Sequence, residues 1–358
     1  MLARNLALVF LVATLPRPIA RAEEVRIAVL GLFHPAQLSV SAGPGAALLV
    51  EAGGKSLVIE NSSSCRVANL TSQGERVDLH CGDRLAQGAD IKLATREGTP
   101  AEFYLRIPGK ISRRYWGKLE VTAHSGRLIP IVQMDVETAV ASVVAAETLP
   151  DTPLEALKAQ AVAARSYLLA GKGRHHGFDF CDTTHCQFLR EPPPPGLPAA
   201  IATRATRGLV LAYEQRVFAA MYTRSCSGHT HTPSELGMAA SAYPYFSVRC
   251  QYCRVHPARW QTRISVRDSI NLRSFDENAR IRTVRRLGWD TIPGDDFTTR
   301  YQGGVIVVEG VGQGHGIGLC EAGARAMAAA GADYRQILAH YYPNATVISA
   351  ATETTVNR

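Results

Sequence analysis

Two features of the sequence combine residue types able to do chemistry: an isolated carboxylate and a run of thiols and imidazoles. The carboxylate is Glu147, within DVETAVASVVAAETLPDTPLEALKAQAVAARSYLL, which runs from Asp135 to Leu169. Pro150 disfavours helical geometry at Leu149, so a first helix, capped by Asp135, should stop near Glu147 or Thr148. A carboxyl at a helix C-terminus meets the negative end of the macrodipole, and Glu147 has Ala145, Ala146 and Leu149 as neighbours. Both effects disfavour the charged form and raise the pKa, as a general acid near neutral pH requires. The plainer reading is a solvated turn residue. Glu321, beside a glycine-rich loop, is a second candidate acid; Glu155 has the position of a helix-capping residue.

The thiols and imidazoles are His175, Cys181, His185 and Cys186, which fall within twelve residues. Tetrahedral zinc takes cysteine sulfur and histidine nitrogen, and four protein ligands leave no open position, so such a site would be structural. The spacing is not that of a standard zinc finger, and a Cys181–Cys186 disulfide is the alternative. Further on, Cys250-x2-Cys253 precedes His256 and Trp260. A disulfide is the favoured reading there; half of a second metal site with Cys226 or Cys320 is the other.

The segment AAETLPDTPLEALKAQAVAARSYLL resembles the signature of the SpoIID/LytB family, named for a sporulation protein and an amidase enhancer. CDTTHCQ (181–187), SCSGHT (225–230) and GQGHGIGLCEAGA (312–324) follow in the family's order, and the likeness runs from about Gly117 to Thr346. The resemblance implies a lytic transglycosylase that cuts peptidoglycan glycan strands, with the catalytic Glu at Glu147. Ordinary glycosidases use two carboxyl groups. The family's reaction instead lets the sugar's own C6 hydroxyl close onto C1, so one Glu serves as acid and then base. Some members bind zinc at the stretch matching His175 to Cys186, and others act chiefly as enhancers of wall hydrolases. A non-catalytic amidase enhancer or wall-binding protein, with no chemistry of its own, is therefore one rival reading; a zinc-dependent cell-wall amidase is another.

The remaining motifs supply binding candidates. Ser225, Ser227, Gly228 and His229 sit at a turn after an apolar strand, suited to hydrogen bonds with sugar hydroxyls or an N-acetyl group. A serine nucleophile is the sharper alternative, but no GxSxG is present. His229 and His231 alternate, which lets them face a metal together or lie in an exposed loop. Glycines 312, 314, 316 and 318 surround His315 and permit close backbone approach to a ligand. No Lys-Ser/Thr follows them, so a phosphate loop is not indicated. His315 could orient Glu147, touch the glycan or simply pack.

The elements that position these residues divide the chain. Residues 1–22 read as a secretory signal: Arg4, an apolar run from Leu6 to Leu15, and Ala20-Arg21-Ala22 as cleavage site. That run is too short for a permanent membrane span. Residues 23–132 show short alternating strands separated by Gly, Pro, Asn and Ser, which predicts a small β-sandwich or barrel. Residues 133–347 form a mixed helical and β catalytic region, and 348–358 a polar tail. The fold class is α+β.

Within the second region the sequence predicts a helix opened by Thr152 as N-cap, Pro153 and Glu155. It also predicts a helix over 199–208, a hairpin turning at Glu214 and Gln215, and helical character in RDSINLRSF. A strand over 301–311 and helices over 321–330 and 333–340 complete it.

Composition is that of a globular protein, 46% hydrophobic and 20% charged. Beyond the signal, 36 basic and 31 acidic residues leave +5. A mildly basic surface suits anionic wall polymer, and no aromatic-basic motif points to nucleic acid. Export to the periplasm or cell envelope permits disulfides, and Cys65 and Cys81 are the expected pair. Peptidoglycan, and a cell-wall amidase as cooperating enzyme, are the partners implied.

Overall fold

The computed structural model describes residues 23–238, 241–269, 282–283, 286–288 and 290–350. The signal segment therefore lies outside the described residues, as do most of RDSINLRSF and the last eight residues. Among the described residues no helix is long and apolar enough to cross a membrane.

Eleven strands, β1 (Glu24–Ala28) through β11 (Arg127–Asp135), build a nearly closed, barrel-like sheet, and the protein is α+β. The fourteen-residue β10 (Ile111–His124) closes it by changing partners along its length. Its first half pairs with Ala101–Ile107, and its second half pairs with β11 on one side and Asp90–Ala94 on the other. Alternation puts Leu119 and Val121 inside, next to Val40, Leu79 and Phe103. The Cys65–Cys81 disulfide ties a loop to the end of Arg76–Cys81, as the sequence predicts.

The chain leaves β11 directly into α1 (Val136–Glu147), where Asp135 accepts from the N–H groups of Glu137 (2.9 Å) and Thr138 (3.4 Å). After the elbow, α2 (Leu154–Ala170) runs back across it, and α3 (Pro198–Ala205) packs against both. The start of α2 differs from expectation. Pro153 is the N-cap, and the Thr152 hydroxyl turns back to donate to the Leu149 carbonyl at 2.7 Å, closing the elbow rather than capping the helix. Glu155 takes no part in a cap; it accepts from Tyr334 N–H (3.0 Å) and pairs with Lys158 (2.6 Å).

The helices are joined by a buried ion pair. Arg165, 1% exposed, donates through Nε and Nη2 to both oxygens of Glu137, at 2.8 and 2.7 Å. Its Nη1 donates to the Leu209 carbonyl at 2.9 Å, reaching the strand Leu209–Tyr213 beyond α3.

The hairpin turns at Glu214 and Gln215, both with positive φ, as predicted. Its continuation differs: Tyr222–Thr223 leaves the hairpin and pairs in parallel with Leu319–Cys320. The expected strand over 301–311 is two, Phe297–Gln302 and Val305–Val311, which form a three-stranded sheet with Arg259–Ser265 around a small core of Ile264, Ile292 and Val308. The closing helices are Glu321–Ala329 and Tyr334–Tyr341. The polar tail begins later than expected, because Thr346–Ser349 pairs with Leu209–Tyr213, and that pairing holds Ile348 in the sheet.

Replacing Glu137 with Ala strands the Arg165 guanidinium without its carboxylate. Removing one partner of a buried pair costs about 3–5 kcal/mol. Urea unfolding should show a loss of that size, and a change under about 0.5 kcal/mol, the range of surface substitutions, would contradict the role given to the pair.

Candidate active site

Glu147 is the last residue of α1, and Thr148 ends the helix by donating both its N–H (3.1 Å) and its hydroxyl (2.6 Å) to the Val144 carbonyl. The Glu147 side chain turns inward between three segments distant in sequence. Oε1 accepts from the Phe188 N–H at 2.7 Å, and Oε2 accepts from the Tyr222 hydroxyl. Arg224, two residues on from Tyr222, donates to the Glu147 carbonyl oxygen at 2.9 Å and places a cation at the negative end of α1.

A second carboxyl completes the group. Glu321 opens its helix immediately after the strand Leu319–Cys320, and the Gln160 amide of α2 donates to it at 3.2 Å. Gln160 also favours the charged form of Glu147 and so lies between the two acids. Burial pushes the Glu147 carboxyl up to about 7, against the lowering effects of Tyr222, Phe188 and Arg224. Burial, reinforced by the charge of Glu147, pushes Glu321 to about 8. A coupled pair of this kind keeps a proton near neutrality, and can give one up and take it back. Tyr222, itself buried beside Glu147, has its pKa raised well above the ordinary range and remains a donor.

Beside this group lies a cleft of about 490 Å³, whose lining does not include Glu147, Tyr222 or Phe188. Gln160, Arg224, Ser225, Gln313 and Glu321 line it, with Tyr252, 42% exposed, at its edge. Of the binding candidates in the sequence, Ser225 lines the cleft, and its hydroxyl is buried without a hydrogen-bond partner. Ser227, Gly228, His229 and His315 do not line it. The Ser227 hydroxyl is likewise buried and unpartnered, whereas His229 is exposed and pairs through its backbone with Arg249. His315 turns back on its own loop, where Nδ1 accepts from the Ile317 N–H at 3.0 Å. His231 lies between Glu235 (3.6 Å) and Asp296 (3.5 Å).

The glycine loop acts through close approach. At Gly318, with φ of 74°, a Cβ would fall 1.9 Å from the Met221 carbonyl, so only glycine allows the chain to pass into the strand beside Tyr222.

His175, Cys181, His185 and Cys186 do come together, with their donor atoms within 4.8 Å of one another. The two cysteines are free, so the disulfide alternative is not formed. The loop that carries them is anchored by Phe180–Cys181, which pairs in parallel with β1, and by Asp182. Asp182 accepts from the N–H groups of Leu30 (2.7 Å) and Gly31 (3.1 Å) and from Arg113 (3.2 Å). Two residues beyond Cys186 is Phe188, whose N–H holds Glu147. Between them, Gln187 is 4% exposed and both ends of its amide lack partners. The disulfide expected at Cys250 and Cys253 is also absent: both are free, and they gather with Cys226 and Cys320 because the strand pairing at 222–223 brings those segments together.

Sequence reasoning missed Tyr222, Gln160 and Arg224 as neighbours of Glu147. Gln160 and Arg165 lie in the EALKAQAVAAR stretch, where two buried polar residues on an otherwise apolar face were the available signal. Tyr222 carried none.

Residues 124–213 match the family described as SpoIID, stage II sporulation protein. Over those residues the chain is similar to a SpoIID domain. That match spans the end of the barrel, both elbow helices, the Cys/His loop and the first hairpin strand. An uncharacterized protein of Brachyspira hyodysenteriae is 27% identical over 267 residues, covering 65% of this chain and 72% of the relative. That similarity points to a cell-wall related role.

The raised carboxyl pKa values carry a consequence for stability. The folded state binds these protons more tightly than the unfolded state, whose carboxyls titrate near 4.5. That contribution is complete below about 4.5 and is lost as pH rises through 7 and 8. Thermal unfolding midpoints should therefore fall between pH 5 and pH 9, and Glu321→Gln should flatten the fall. An identical pH dependence in wild type and variant would place Glu321 in bulk water.

Proposed function

We propose that this protein is an exported peptidoglycan lytic transglycosylase cleaving the MurNAc–GlcNAc bond, with Glu147 as general acid and then general base. The observation that carries the reading is the Glu147 carboxyl itself, held at the elbow by Tyr222 and Phe188 with its pKa raised to about 7. In the first half of the reaction Glu147 gives its proton to the glycosidic oxygen as the C1–O bond breaks. In the second half the C6 hydroxyl of the same MurNAc closes onto C1 and returns its proton to Glu147. No water is consumed, and the enzyme ends in its starting state.

Glu321 supports this scheme from beside the reacting acid. Its higher pKa keeps it neutral while Glu147 cycles, so it is a poor nucleophile or base near pH 7 and a suitable hydrogen-bond partner. The unpartnered hydroxyl of Ser225, which lines the cleft, would meet a sugar hydroxyl or an N-acetyl group. Tyr252 offers a ring face at the edge of the cleft. Export agrees with the signal-like first 22 residues and the Cys65–Cys81 disulfide.

The Cys/His loop fits zinc. Two sulfurs and two nitrogens match its preferred donors, and His175 Nε2 already lies 3.2 Å from Cys186 Sγ, with His185 Nδ1 3.5 Å from the same sulfur. His175, Cys181, His185 and Cys186 would hold the ion. With all four positions taken by protein, zinc would supply rigidity to the loop that presents the Phe188 N–H to Glu147.

Glu147→Gln should lower release of 1,6-anhydro-muramyl products by about 10²–10⁴-fold, the range for a general acid, without loss of thermal stability. In the wild type the rate should fall as pH rises past about 7, where Glu147 loses its proton. Mass spectrometry of digested sacculi reads both. Reducing-end products would point to two-carboxylate hydrolysis through Glu321. Free stem peptides abolished by chelation would point to an amidase, and glycan binding without fragments to an enhancer. Each of these overturns the proposal.

A further inference from the structure

The four cysteines opposite the elbow form a second cluster with no part in the reaction above. Cys226, Cys250, Cys253 and Cys320 are all buried, and their sulfurs lie within 4.8 Å of one another. None is disulfide-bonded, and the separation of Cys253 and Cys320, 3.5 Å, is well beyond a bonded pair. With Zn–S bonds of about 2.3 Å, a regular tetrahedron sets its sulfurs about 3.8 Å apart, a spacing that lies between the 3.5 Å of Cys253–Cys320 and the 4.8 Å that bounds every pair. Four soft thiolates in that arrangement select zinc or iron over harder cations.

We propose that Cys226, Cys250, Cys253 and Cys320 bind one zinc ion as four thiolates, at a site separate from the Cys/His loop. Their surroundings are those of sulfurs carrying negative charge. The Cys226 N–H points at Cys320 Sγ from 3.4 Å, and the Tyr341 hydroxyl donates to Cys250 Sγ at 3.5 Å. Cys320 also caps the nine-residue helix Glu321–Ala329, whose positive end favours a thiolate. Space has been kept for the sulfurs: at Gly323 a Cβ would lie 2.6 Å from Cys250 Sγ and 1.9 Å from the Tyr341 oxygen. In an oxidising compartment, buried thiols this close either pair or are protected by metal, and the spacing observed is that of ligands.

The site's position gives it a structural task. Cys226 follows Arg224 and Ser225, Cys253 lies on the helix that carries Tyr252, and Cys320 immediately precedes Glu321. One ion would therefore fasten three segments of the cleft wall. The inference concerns these four sulfurs alone and does not depend on which bond the enzyme cuts.

The test uses the full mature chain. Cys181→Ser with Cys186→Ser removes the other cluster's thiolates and isolates this one. Elemental analysis should find one zinc per chain. Exchange with cobalt(II) should give the intense sulfur-to-cobalt absorption of a tetrahedral four-thiolate site. Should that variant fail to fold, differential alkylation of the wild type reads the same site. The four cysteines should resist alkylation in the native protein and react once a strong chelator is added. Cysteines that react only after a reductant would be disulfides, cysteines that react without chelator would be free thiols, and iron in place of zinc would be the wrong metal; each result overturns the proposal.

Discussion

A guanidinium cut off from water decides how the two elbow helices meet. Arg165 has one carboxylate to satisfy it, Glu137, and the remaining donors need carbonyls from α2, α3 and the strand beyond. A buried charge tolerates few arrangements, since each lost partner costs several kcal/mol. The pair thus fixes α1 against α2 near their far ends. The alanine-rich surfaces between them allow a close approach, and Glu147 emerges at the other end in a fixed place. The Glu147 carboxyl inherits its position from an ion pair nearly three helical turns away.

Its proton affinity comes from three separate directions. Burial raises it, while the Phe188 N–H and the Tyr222 hydroxyl restrain the rise by favouring the charged form. Phe188 belongs to the loop anchored on the barrel through Asp182, and Tyr222 to the strand paired with Leu319–Cys320. The barrel therefore takes part in tuning the acid: a shift of β1 would move Asp182, then the Cys/His loop, then the Phe188 N–H. The Arg224 charge adds a fourth influence that favours the ionised form, while the charge of Glu147 in turn raises Glu321.

Legibility in the sequence followed the distance over which each feature is decided. Asp135 as a cap, Pro150 as a helix stop and the turn at Glu214–Gln215 depend on neighbours within a few residues, and the sequence predicts them. Cys65 and Cys81 were readable because no other cysteine lies in that third of the chain. Thr152 misled because its hydroxyl had two acceptors in reach, one ahead in the helix and one behind at Leu149, and local spacing cannot choose between them. Tyr222, Arg224 and the four-cysteine cluster were hidden for another reason. A two-residue parallel pairing between 222–223 and 319–320 creates all of them, and it is too short to leave a periodic signal.

That same short pairing bears on when the protein becomes competent. Cys226 and Cys320 are 94 residues apart, and Gln160 and Glu321 are 161 apart, so the contacts around the cleft carry a high loop-closure cost. The barrel closes early in the sequence, since Glu24 pairs with Asp135 ahead of the elbow helices, whereas the acidic pair cannot exist until the chain past Glu321 has arrived. A growing polypeptide would thus hold a finished barrel and an unfinished cleft until its final helices dock.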